Sequence, residues 1–176
     1  MIKRFNTLNP VIKIILSITI LIAVGFLLTK ITTFFLDRQV NEEDLAYVDW
    51  YNETSSEMND IINEAQFIYE EIERTPDTYI DLTSYMMMKD NLSDLTDEII
   101  NYPKPKNRIL KKAHKLYIKE SIYALQAMKG LDEFVDSRQY FSTGPSDYLA
   151  NILNANSSGM QAGSLVYDFR DINDAW

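Results

Sequence analysis

Apolar side chains return every three or four positions through most of this chain, and three Pro- and Gly-containing clusters cut the pattern into four segments of roughly thirty residues. The breaks are RTPD (74–77), YPKP (102–105) and FSTGP (141–145). In the first segment Tyr51, Met58, Ala65 and Ile72 recur every seven residues, with Ile61 and Ile68 between them. That spacing is the stripe of an amphipathic helix seeking a partner. The second segment gives Tyr85, Met88, Leu92, Leu95, Ile99 and Tyr102, and the third gives Leu110, Ala113, Tyr117, Ala124, Ala127, Leu131 and Phe134, interrupted by Glu120. The fourth gives Leu149, Ile152, Leu153, Met160, Leu165, Val166 and Phe169, with NANSSG (154–159) inside it, where a kink or break is expected. Sustained period-two alternation, the mark of a half-buried strand, is absent.

The helix starts are read from the same breaks. Thr75 is expected to cap a helix with Pro76 in its first position and Asp77 in its first turn. Pro105 opens the third helix in the same way, and Pro145 with Asp147 the fourth. Short linkers favour antiparallel neighbours. The predicted fold is all-α, with an up-down-up-down four-helix bundle.

Ahead of the bundle the pattern changes. Residues 14–29 carry no charge, and after Lys30 the apolar character resumes to Leu36. A helix over 14–36 would be about 34 Å long, enough for a hydrocarbon core of about 30 Å. Lys30 is near enough to one end for its stem to reach headgroups. The sequence therefore predicts an N-terminal transmembrane signal-anchor helix. The competing reading, a cleaved secretory signal, is disfavoured because bulky and β-branched TKITTFFLD follows the run, without a small-residue cleavage site. Lys3, Arg4 and Lys13 precede the span, against Lys30 and Arg38 at its other end. That base count predicts a cytoplasmic N-terminus of residues 1–13, a span of 14–36 and an extracytoplasmic bundle of 37–176 in a single-pass cell-membrane protein.

Charge sharpens the division. The 176 residues carry a formal charge of −9, yet the first 36 contain four bases and no acid. The remaining 13 bases are set against all 26 acids. Within that acidic part, residues 104–119 hold Lys104, Lys106, Arg108, Lys111, Lys112, Lys115 and Lys119 and no acid. In an up-down-up-down bundle this run begins at the membrane end, where each base near an anionic surface contributes about 1 kcal/mol. The bases are expected to balance the acids of the first bundle helix, to meet anionic lipid or an envelope polyanion, or to meet a protein partner. Nucleic acid is not an expected partner for an acidic extracytoplasmic domain.

Candidate chemistry adds little. The chain has no cysteine, which excludes disulfides, thiolate metal sites and a thiol nucleophile. The single histidine, His114 in KKAHKLY, has no local nucleophile and orienting acid beside it and is expected at the surface or capping a helix. Asp168, Asp171 and Asp174 share a helix face but lack the glycine and terminal Glu of a calcium loop. Asn52, Asn91 and Asn156 begin Asn-x-Ser/Thr triplets. No metal or cofactor is expected, and no enzyme activity. A composition rich in Asn, Ile, Lys, Asp and Tyr suits a bacterium. These readings converge on a membrane-anchored, non-enzymatic interaction or assembly module that works with the bilayer and another membrane or envelope protein. The alternative is a small-molecule sensor that signals through a partner.

Overall fold

The computed structural model describes residues 10–37, 41–75, 81–137 and 146–174. The described residues form five α-helices and no strand: α1 Pro10–Asp37, α2 Glu42–Arg74, α3 Leu82–Asn101, α4 Arg108–Ser137 and α5 Ser146–Asp174. Two compact units result, Met1–Gln39 and Val40–Trp176.

The first unit contains α1. Its Ile14, Ile15, Leu16, Leu21, Val24 and Phe26 are exposed, and they point to all sides of the helix axis. Two of its threonine hydroxyls turn back on the helix itself: Thr19 donates to the Ile15 carbonyl at 2.9 Å and Thr29 to the Gly25 carbonyl at 2.7 Å. Among the described residues, no helix is long and apolar enough to cross a membrane. The expected 14–36 span is therefore not established by the structure. The side chains of Lys13 and of residues 31–36 lie outside the described ones, as do Lys3 and Arg4 altogether. Lys30 itself sits 5.6 Å from the ring centre of Phe26.

The second unit is the expected antiparallel bundle. Cross-helix contacts fix the directions: Trp50 near the start of α2 meets Glu98 near the end of α3, and Lys89 on α3 meets Asp132 on α4. Tyr148 at the start of α5 stacks on Tyr69 near the end of α2, with ring centres 4.8 Å apart. The predicted rows of α2, α3 and α4 are buried, including Met58, Leu92, Leu110 and Leu131, except that Ile68 and Tyr102 are half-buried against the core. Phe134 lies outside the described side chains.

Helix starts differ from the expectation because side-chain acceptors, not prolines, satisfy the first amides. Asn41 caps α2, accepting from the Asp44 amide at 2.8 Å, with Glu42, Glu43 and Asp44 in the first turn. Thr75 ends α2 instead of opening the next helix, its amide donating to the Glu71 carbonyl. Asp81 is the cap of α3, accepting from the amides of Thr83 and Ser84. Asn107 serves α4, accepting from the Ile109 amide at 2.7 Å, two residues beyond Pro105. Pro76, Asp77 and Pro145 lie outside the described residues.

α5 departs most from the sequence reading. It runs unbroken through residues 154–159, because close packing on α4 overrides the weak helix preference of Asn, Ser and Gly. Its buried row is Tyr148, Ile152, Ala155, Ala162, Val166 and Phe169. Leu149, Leu153 and Met160, expected inside, face solvent.

Candidate functional site

Two features meet at the end of the bundle where α2 begins. The first is the expected basic run. Lys104, Lys106, Arg108, Lys111, Lys112, Lys115 and Lys119 are all exposed, and the last five, at steps of three, one, three and four, share one side of α4. Lys106 pairs with Glu43 at 2.9 Å and is the only one of the seven with an ion pair among the described residues. The acids of α2 do not otherwise neutralise the run: Asp49, Glu53, Glu57, Asp60 and Glu64 lie on α2's own solvent face.

The run is held in place by Asp44. This residue is fully buried, and its Oδ1 accepts from the amides of Lys106 at 2.9 Å and Asn107 at 3.0 Å. Two charge-assisted bonds thus tie the α3–α4 loop to the first turn of α2. Trp50 stacks on Tyr102 with ring centres 3.7 Å apart, while its Nε1 donates to Glu98 at 2.6 Å.

The second feature is a polar patch inside the core, which the sequence reading missed. His114 is only 2% exposed, not at the surface, and meets Tyr47 edge-on at 5.6 Å. Neither ring nitrogen has a hydrogen-bond partner among the described residues. Burial lowers its pKa, helped by the nearby charge of Lys104. Six residues further along, Glu120 is 4% exposed, and burial pushes its carboxyl up to about 7. Its Oε2 is likewise unpartnered, as are the Tyr47 hydroxyl and Thr96 Oγ1. Tyr51 and Tyr117 pack ring to ring at 4.9 Å, and both hydroxyls are pushed up by burial, with Glu120 adding to the effect. A helical wheel offered one signal: positions 110, 114, 117, 121 and 124 trace the buried side of α4, so His114 lies within its core row and Glu120 beside it.

At the opposite end, a groove of about 250 Å³ is lined by Leu82, Tyr85, Met86, Lys89, Asp132 and Val135. Lys89 and the Tyr85 hydroxyl both donate to Asp132, so its polar groups are already engaged. Among the described residues no group of three or more acidic or histidine side chains could hold a metal. Asp168 and Asp171 are exposed on α5, and the side chain of Asp174 is outside the described residues. Asn52, Asn91 and Asn156 are exposed, each within a helix.

No protein-family model, no curated protein and no solved structure matches the chain.

Proposed function

We propose that this is a membrane-attached, non-enzymatic docking module: α1 seats in a bilayer, and the bundle presents the basic side of α4 to an anionic surface close by. The reading is carried by one observation. Six exposed bases on one short stretch have no ion pair among the described residues, although the unit around them is strongly acidic. Charge balancing inside the bundle would have used them.

Two further points support it. A helix apolar on all sides is stable only where every side is taken from water, and α1 is such a helix. In the sequence only residues 38–41 join α1 to α2. Within the bundle, the basic run is at the end where α2 begins. With a cytoplasmic N-terminus, the bundle would face outward, toward lipid headgroups and envelope polymers and near other envelope proteins.

The test is membrane fractionation of the full chain beside a variant with Leu21→Arg and Leu27→Arg. The wild type should resist alkaline extraction and the variant should be released. For the basic side, the quadruple variant Arg108→Glu, Lys111→Glu, Lys115→Glu, Lys119→Glu should lose contact with anionic vesicles in flotation, and wild-type binding should weaken with salt. Equal binding of wild type and variant to anionic and neutral vesicles would remove the docking role.

A second reading, a bundle that binds a small polar molecule between its helices, is favoured by the unpartnered buried atoms of Tyr47, Thr96, His114 and Glu120. A thermal shift with a metabolite panel, abolished by His114→Phe, would select it over the first.

A further inference from the structure

We propose that two copies of this chain pair through the outward face of α5. The helix carries two apolar rows, and the bundle uses only one. The second row is Leu149, Leu153, Met160 and Tyr167, exposed by 44%, 68%, 74% and 65%. Leu153, Met160 and Tyr167 are seven residues apart; Leu149 comes four before them, and Asn156 and the half-buried Gly163 at the edge of the row fall between them, so the steps alternate four and three. A second helix with the same alternation fits against such a row knob into hole.

Charge selects the occupant. From Tyr148 to Tyr167 the helix contains no charged residue. The outward side of α2 carries Asp49, Glu53, Glu57, Asp60 and Glu64, that of α3 carries Asp90, Asp94 and Asp97, and that of α4 carries the bases. Two copies of an acidic body meeting through α2 or α3 would set acid on acid, and through α4 base on base. α5 is the outward helix face on which like charges do not oppose one another. A partner recognised by charge would use the other faces; a partner for this one must itself offer an uncharged row of matching period, which the chain supplies. Pairing α5 with α5 uses the same patch on both copies and closes with two-fold symmetry, whereas the acids of α2 on the bases of α4 would leave each copy with unused ends. Asn156 sits within the seam, where a polar side chain can pair with its counterpart and fix the register.

The absence of native cysteine makes the test direct. In the full chain in detergent micelles, Met160→Cys and Leu153→Cys should each form a disulfide-linked dimer under mild oxidation, while Lys115→Cys on α4 should not. The double variant Leu153→Glu, Met160→Glu should halve the protein mass found by light scattering, with the helical circular dichroism of the wild type. Because both side chains are exposed, that variant keeps its fold. A monomeric wild type, a dimer that survives both glutamates, or cross-linking at position 115 as fast as at 160 would overturn the proposal. The last two outcomes would assign any association to α1 or to the charged faces instead.

Discussion

The carboxyl of Glu120 on α4 occupies the space that a side chain at position 159 on α5 would need: a Cβ built on Gly159 meets both carboxyl oxygens of Glu120 within contact distance. A residue with an acid and a residue without a side chain thus fit each other across the most extensively packed helix pair of the bundle.

The first prediction concerns that fit. Gly159→Ala gains about 1 kcal/mol of helix preference but must displace the glutamate, whose flexible end can swing aside. In wild type the two effects should largely cancel. In a Glu120→Ala background the obstacle is gone, and the same substitution should stabilise the fold. A double-mutant cycle by urea denaturation should return a coupling of roughly 0.5–3 kcal/mol; strict additivity would mean that the residues do not compete for space.

Glu120 should also make stability depend on pH. Its folded pKa of about 7 lies above the unfolded 4.5, so the folded state holds the proton more tightly. The associated stability is fully present below 4.5, is lost as pH rises toward 7, and then levels off, a change on the order of 3 kcal/mol. Glu120→Gln keeps the shape without the charge. Its denaturation free energy should exceed that of wild type above neutrality and lose the slope between those two values. An unchanged slope in the variant would place the titration elsewhere.

His114 acts with the opposite sign. Burial lowers its folded pKa below the ordinary 6.5, so its contribution is present above 6.5 and lost as the pH falls. His114→Phe removes both the protonation and two unpartnered nitrogens beside Tyr47 and Trp50. Its gain in melting temperature should be larger at about pH 5 than at about pH 8. A gain equal at both would assign the effect to packing alone.

Asp44 ties the loop that carries Lys104 and Lys106 to α2. Asp44→Ala leaves two loop amides without their carboxylate, at a cost of about 1–3 kcal/mol each if they stay buried. Hydrogen exchange should rise first at Lys106 and Asn107, before any change at the opposite end near Lys89 and Asp132. Uniform loss of protection would show that the tie is global.

Much of the fold was legible because the rows of α2, α3 and α4 each repeat one period with one buried side. Tyr51, Met58, Leu92, Ile99, Leu110 and Tyr117 follow directly from spacing, and all are buried. The basic run was legible as a charge pattern. The interior site was not, since His114 stands among lysines and Glu120 follows them, and neighbours along the chain suggest solvent. On a helix, however, adjacent residues point about 100° apart, so a cationic stretch can hold core positions. Whether α1 crosses a bilayer was expected from its apolar length and is a matter for the fractionation test.

By itself the sequence determined the number of helices in the bundle, their alternating direction and the separation of acids from bases, because these depend only on period, linker length and composition. Tertiary structure alone decided which of the two apolar rows of α5 goes inside. Leu153 and Met160 are the more hydrophobic choice, yet the small Ala155, Gly159 and Ala162 face α4. Rotation of a helix about its own axis is settled by how closely its neighbour approaches and what that neighbour must accommodate, here the carboxyl of Glu120, and no residue in α5 announces that in advance.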